Sequence, residues 1–159
     1  MTREEAISQI KDALGERLLG LEERSARRVF ADIAPEHVVA ATRVMFEDLG
    51  ARFQTASGVD TADAIELLYH WALDRLDCVV TLRTRVNRDA AVLDSIAAVC
   101  PAAEWIEREM WELLGITFHG HPDMRHLLLD ESWPEGAYPL RRDYVRPSPK
   151  ASAEEPEEE

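Results

Sequence analysis

Residues 78–86, Cys-Val-Val-Thr-Leu-Arg-Thr-Arg-Val, decide the fold class. Cys78, Val80, Leu82 and Val86 fall on one side of an extended chain, and Thr81, Arg83 and Arg85 on the other. Such period-two alternation marks a strand with one face on a core and one in water. Just upstream, residues 64–73 (AIELLYHWAL) read as an apolar, aromatic strand ending at Asp74-Arg75. Residues 51–57 read as another, closed by the turn signal Ser57-Gly58-Val59-Asp60. Three strands in succession favour antiparallel pairing.

Residues 26–33 (ARRVFADI) supply a fourth strand candidate. Before it, Thr2 and Glu5 have capping-box spacing, Ala6, Ile7, Ile10 and Leu14 share one helical face, and Gly15 can end the helix. Pro35 suits the first turn of a second helix, which carries Val38, Thr42, Met45, Phe46 and Leu49 up to Gly50. Beyond the strands, a helix is expected over roughly 89–99. Pro101 then opens another, turning Ala102, Trp105, Ile106, Met110, Leu113 and Leu114 toward the core, with Gly115 as its C′ residue. Trp71 and Trp105 read as core. Glu107, Arg108, Glu109 and Glu112 read as a solvated face with Glu104–Arg108 and Arg108–Glu112 ion pairs, not as carboxylates paired for acid–base chemistry. The expected architecture is α+β, with helices on one face of a four-stranded, mostly antiparallel sheet.

The character changes at Ile116. Residues 116–146 contain Pro122, Pro134 and Pro139 with Gly120 and Gly136, and only Met124 to Leu129 could make a helical turn. The segment still carries Phe118, Leu127, Leu128, Leu129, Trp133, Tyr138, Leu140 and Tyr144, which a solvated linker would not. It must wrap back over its own domain or lie on a partner. The expected organisation is an α+β domain over 1–115, an extended docking segment over 116–146, and an acidic disordered tail over 147–159.

Composition narrows the function. The chain has 159 residues, 46% of them hydrophobic, and a formal charge of −13. Five glutamates crowd the last nine residues, but the remainder is acidic too. This balance argues against nucleic acid as a partner, since phosphate affinity rests on clustered Lys and Arg. Cys78 and Cys100 are too few for an iron–sulfur cluster or an all-Cys zinc site, which need about four thiolates. Their apolar surroundings predict buried free thiols. The N-terminal 25 residues hold no apolar signal-peptide core, and no run approaches the ~18 apolar residues of a membrane span, so a soluble, cytoplasmic protein is expected. Neither G-x-S-x-G nor G-x-G-x-x-G occurs, and neither cysteine has a His partner nearby in sequence. The pattern favours a non-catalytic subunit.

Three constellations remain. His119, His121 and His126 lie within eight residues, and in an extended segment the first two would share a face, as a metal pair needs. Hydrogen bonding within a turn around Gly120 and Pro122 is the plainer reading. Trp133, beside Pro134, has the character of an interface anchor. Arg141, Arg142 and Asp143, flanked by Arg125 and Arg146, form the one concentrated basic patch of this half; guanidinium forks suit a partner's carboxylates, or local pairing with Asp123, Asp130 or Asp143.

The series Glu107-Arg108-Glu109, Glu112-Leu113-Leu114-Gly115-Ile116, Phe118, Gly120-His121-Pro122-Asp123-Met124-Arg125 and Leu127-Leu128 continues through Trp133-Pro134-Glu135-Gly136 to Pro139-Leu140-Arg141-Arg142-Asp143-Tyr144. It resembles the signature of the 30-kDa subunit of respiratory complex I (the C subunit of NADH dehydrogenase) and its relatives in energy-converting membrane-bound [NiFe]-hydrogenases and formate hydrogenlyases. The resemblance implies a scaffold subunit of the hydrophilic arm, docking through its C-terminal segment on the hydrogenase-like (49-kDa-type) large subunit, beside iron–sulfur subunits. It implies no active site, cofactor or metal in this chain; electrons would pass through a [NiFe] centre, iron–sulfur clusters, or both, in the neighbours. Interface residues implied are Phe118, His121, Pro122, Asp123, Arg125, Trp133, Tyr138, Pro139, Leu140, Arg141, Arg142, Asp143 and Tyr144. Membrane contact would be made only through the complex, on the inner face of the cytoplasmic membrane. In the complex I branch the motif tends to read Gly-His-Pro-Leu-Arg-Lys-Asp-Phe, whereas Ala137-Tyr138 precede Pro139 here, and only 15 residues follow Tyr144. Both features lean toward the hydrogenase-like branch, with the C subunit of an NADH (or other donor):quinone oxidoreductase as the rival. A free-standing metal-binding protein using the three histidines is the third reading.

Overall fold

A computed structural model describes residues 2–146; the expected acidic tail over 147–159 lies outside the described residues. The chain folds around a five-stranded sheet in the order β1-β2-β5-β4-β3, from β1 (Leu18–Ser25), β2 (Arg28–Ile33), β3 (Arg52–Asp60), β4 (Ala64–Leu73) and β5 (Cys78–Asn87). Only the β2–β5 pair is parallel. The architecture is therefore α+β with a mostly antiparallel sheet, as read, but with five strands rather than four. The additional strand is β1, Leu-Leu-Gly-Leu-Glu-Glu-Arg-Ser. It is a sheet edge, mostly solvated and broken by two register shifts against β2, so it has no clean alternation to read.

The alternation of 78–86 sets the sheet's inner face. Val80 and Leu82 are buried beside Val29 and Ala31 of β2 and Ile65, Leu67, Tyr69 and Trp71 of β4. On the outer face, Arg83 forks onto Asp32 and Arg85 donates to Glu66. Helix α1 (Arg3–Leu14) has the expected capping box, with Glu5 N–H donating to Thr2 Oγ1 at 3.2 Å and Thr2 N–H to Glu5 Oε2 at 2.7 Å. It buries Ala6, Ile7, Ile10 and Leu14. Helix α2 (Val38–Arg43) continues the 3₁₀ turn opened by Pro35 and passes into a π turn at Val44–Asp48. Cys78 and Cys100 are buried free thiols.

Two further expectations fail between 89 and 114. No helix covers 89–99: Asn87 Oδ1 accepts from the amides of Asp89 and Ala90, and Val92–Asp94 form β6, paired in parallel with β7 (Thr117–His119). A pairing across some 25 residues leaves no local period, and the alanine-rich text imitates a helix. Helix α3 (Glu104–Leu114) exists, capped by Gly115 at φ +71°, but rotated from its expected phase. Trp105 is 68% exposed rather than in the core, while Glu107, Arg108 and Glu112 are buried. The stripe Ala103, Glu107, Met110, Leu114 faces inward, continued by Ile116 and Phe118, so the core runs past the expected boundary at 115. Met124–Leu129 make no helical turn. No helix among the described residues is long and apolar enough to cross a membrane.

Candidate functional site

From Ile116 to Arg146 the chain runs as a strap over its own domain, and the buried charges of α3 explain how it is held. Glu112, whose side chain is fully buried, accepts from three successive backbone amides, Leu127 at 3.0 Å, Leu128 at 2.8 Å and Leu129 at 3.2 Å, with His126 Nδ1 at 3.2 Å. Burial alone would raise its pKa, but these bonds together hold it below the ordinary glutamate value. Arg108 works from one helical turn earlier, donating to the carbonyls of Arg125 at 2.9 Å and His126 at 2.7 Å. The expected Glu104–Arg108 and Arg108–Glu112 surface pairs are absent for this reason; the guanidinium and carboxylate grip the strap's main chain instead.

Glu107 is bonded within the core to the turn that follows β6, and His121 of the strap lies 4.0 Å from it. Ser95 Oγ donates to Glu107, as does Ile96 N–H at 2.9 Å, and burial pushes its carboxyl pKa up. His121, with a side chain only 1% exposed, donates from Nε2 to the Glu104 carbonyl at 2.9 Å. Its Nδ1 accepts from Asp123 N–H at 3.1 Å. Both ring nitrogens are thus engaged in fixing the turn. Gly120, at φ +76°, breaks the extended path that would align His119 with His121. His119 points to solvent, 4.0 Å from Asp94, and His126 turns to Glu112. The three histidines therefore diverge, and among the described residues no group of three or more His, Cys, Asp or Glu could hold a metal ion.

At the far end, Asp60 does the holding. Its buried carboxylate takes a fork from Arg88 at 2.7 and 3.0 Å and the backbone N–H of Arg142 at 2.9 Å, and Arg88 draws its pKa down. Arg88 also pairs with Asp143 at 2.9 Å. Arg141 is directed inward, donating to the carbonyls of Leu114 at 2.6 Å and Arg88 at 2.7 Å. Tyr138 lies where a Cβ on Gly115 would stand, so the glycine admits its ring.

Of the residues expected at an interface, Phe118, His121 and Arg141 are occupied within this chain. Tyr138, Pro139 and Tyr144 are half-buried, Pro122 is exposed, and Asp123 pairs with Arg125 at 2.8 Å. Leu140 (56% exposed), the Arg142 side chain and Asp143 face outward, together with Leu128 (63%) and Val145 (84%). Trp133 is half-buried, stacked on Tyr144 at 6.3 Å with its indole N–H on the Ala137 carbonyl at 2.6 Å. Asp60 and Arg88 were not legible as part of this site. Glu107 and Glu112 left one trace, in that Glu107 interrupts an apolar stripe.

A family model described as "Respiratory-chain NADH dehydrogenase, 30 Kd subunit" matches residues 31–150. The C subunit of the NADH-quinone oxidoreductase of Mesorhizobium japonicum is 31% identical over 154 residues, covering 87% of this chain and 72% of that protein. The Salinispora tropica protein of the same name is 37% identical over 123 residues, covering 70% of this chain and 48% of its own length. The chain spans about half the length of most such relatives, 55% in Hyphomonas neptunium, for example. Among solved structures, a chain of the membrane-bound sulfane sulfur reductase, an archaeal respiratory membrane complex, superposes with a TM-score of 0.80 at 26% identity, over 89% of this chain and 85% of that one. A trypsin-resistant fragment of Nqo5 shares the fold at a TM-score of 0.57 and 17% identity, over 76% of this chain and 97% of the fragment.

Proposed function

Because the chain belongs to the family of 30-kDa subunits of respiratory-chain NADH dehydrogenase, we propose that it is a non-catalytic structural subunit in the hydrophilic arm of a complex I-like oxidoreductase, docking through the outer surface of its strap on a hydrogenase-like large subunit. The observation that carries this reading is the division of labour in the strap. Its main chain is fixed by buried Glu112, Arg108 and Asp60, while Leu128, Leu140 and Val145 remain in solvent. Exposed apolar side chains on a main chain held in this way suit a protein surface. In this reading the redox groups, a [NiFe] centre, iron–sulfur clusters or both, sit in partner subunits, in keeping with a chain that has two cysteines. Membrane contact comes only through the complex, at the cytoplasmic face.

Within that frame we favour the membrane-bound, hydrogenase-type branch. The Trp133–Arg141 wording supports it, as does the likeness to a membrane-bound sulfane sulfur reductase chain. The second reading, the C subunit of an NADH:quinone oxidoreductase, is supported by the names of the curated relatives. Deleting 116–146 is a poor test, since Ile116 and Phe118 are core. The better variant is Leu128→Glu with Leu140→Glu in the whole chain, co-expressed with the genes that adjoin it. Loss of co-purification at an unchanged melting temperature is expected. Intact assembly would refute the docking surface, and mass spectrometry of the wild-type complex separates the two branches.

A further inference from the structure

The turn from Trp133 to Tyr138 divides two cavities. One, of about 710 Å³, is lined by Arg88, Arg141 and Arg146 among others. The other, of about 390 Å³, has the opposite character. Trp111, His126 and Trp133 contribute aromatic walls, and Glu112, Glu131 and Glu135 contribute carboxylates, with no lysine or arginine in the lining. Its size is at the low end for ligand pockets, enough for one large side chain and its flanking backbone.

The polar groups are already arranged. Glu112 at the floor is ionised and bonded to the strap's amides, so it contributes fixed negative charge. Glu131 and Glu135 are exposed, and among the described residues neither makes an ion pair. The Trp133 indole N–H is directed to Ala137, and Trp111 packs against His126 with ring centroids 5.2 Å apart. What remains for an occupant is the negative face of aromatic rings and two free carboxylates. A flat cation satisfies both at once: a guanidinium stacks on indole and forks onto carboxylate, where a neutral group gains neither interaction.

We propose that this cavity receives an arginine side chain of the subunit on which the strap docks. The proposal rests on the docking reading above and adds to it the chemistry of one contact. Charge complementarity is its ground: the recess is aromatic and net-negative, and it lies in the strap that presents the docking surface.

The test uses the whole chain, labelled at its tryptophan indoles, titrated with acetyl-Gly-Arg-Gly-amide while indole resonances are followed by NMR. A saturable, salt-sensitive shift of the Trp133 and Trp111 indoles at millimolar peptide is expected, weakened at least fivefold in Glu131→Gln/Glu135→Gln. Equal binding by the citrulline or lysine peptide, or no shift by about 50 mM, overturns the proposal. In the co-expressed complex the same double variant should weaken assembly at least tenfold without moving the melting temperature. If Leu128→Glu/Leu140→Glu disrupts assembly and Glu131→Gln/Glu135→Gln does not, the arginine contact fails and docking survives. If neither variant disturbs assembly, the docking reading itself fails.

Discussion

Replacing Glu112 with alanine removes the acceptor of three consecutive amides and of His126 in one step. A hydrogen bond to a charged group contributes roughly 1.5–3 kcal/mol, and a deserted buried donor costs about 1–3. The four bonds share one carboxylate and are not additive, and the half-buried amides can turn partly to water. The whole grip is therefore on the order of 3–4 kcal/mol. In a domain of this size that corresponds to a fall in melting temperature of roughly 8–12 °C. If the strap lifts locally instead, amide exchange at Leu127–Leu129 accelerates by roughly 150- to 900-fold while the midpoint moves less. Guanidinium denaturation paired with hydrogen-exchange mass spectrometry reads both outcomes. Because the folded pKa of Glu112 lies below its unfolded value of about 4.3, its contribution is complete above that pH and is lost as pH falls through the folded value. The gap between wild type and Glu112→Gln should accordingly close on acidification. A loss under about 0.5 kcal/mol with unchanged exchange at Leu127–Leu129 would refute the argument that this carboxylate holds the strap.

Other substitutions divide the anchors from the outer surface. Arg141→Ala should destabilise the isolated chain by about 2 kcal/mol, having lost two charged bonds to carbonyls, whereas Arg142→Ala, whose backbone N–H alone is engaged, should stay within about 0.5 in the same melt. Asp60→Asn should lower the melting temperature and loosen residues 140–144, read by exchange, because it breaks the Arg88 fork. Glu107 behaves oppositely to Glu112 on titration. Its folded pKa is raised, so its ionisation opposes folding, and stability falls as pH climbs from the unfolded pKa toward the folded one. Glu107→Gln should flatten that limb of the stability–pH curve while keeping acceptance from Ile96. Gly115→Ala should cost more than about 1 kcal/mol, since φ is +71° and the added methyl meets the Tyr138 ring; near-UV circular dichroism would register the displaced tyrosine.

The sheet was readable where neighbouring residues alternate, and the signature segment was readable as text. What escaped was every feature set by distant partners. Strand β6 exists because Thr117–His119 lies beside it. The charges of α3 point inward because the strap's amides and carbonyls await them, and a helix-face reading by polarity assigns such residues to water. Trp105 was drawn into the core by the same reasoning, its hydrophobicity counted without knowing that Glu107 had taken the inward arc. For Arg141 the sequence offers a partner's carboxylates or a nearby aspartate, and the actual acceptors are carbonyls, which carry no sequence signal.

The clasp of Glu112 on Leu127, Leu128 and Leu129 uses peptide groups alone. Any non-proline residue provides the same N–H, so the clasp itself is nearly indifferent to which side chains stand there. The clasp therefore survives substitution at all three positions, and a lineage could rewrite them without loosening the strap from its helix.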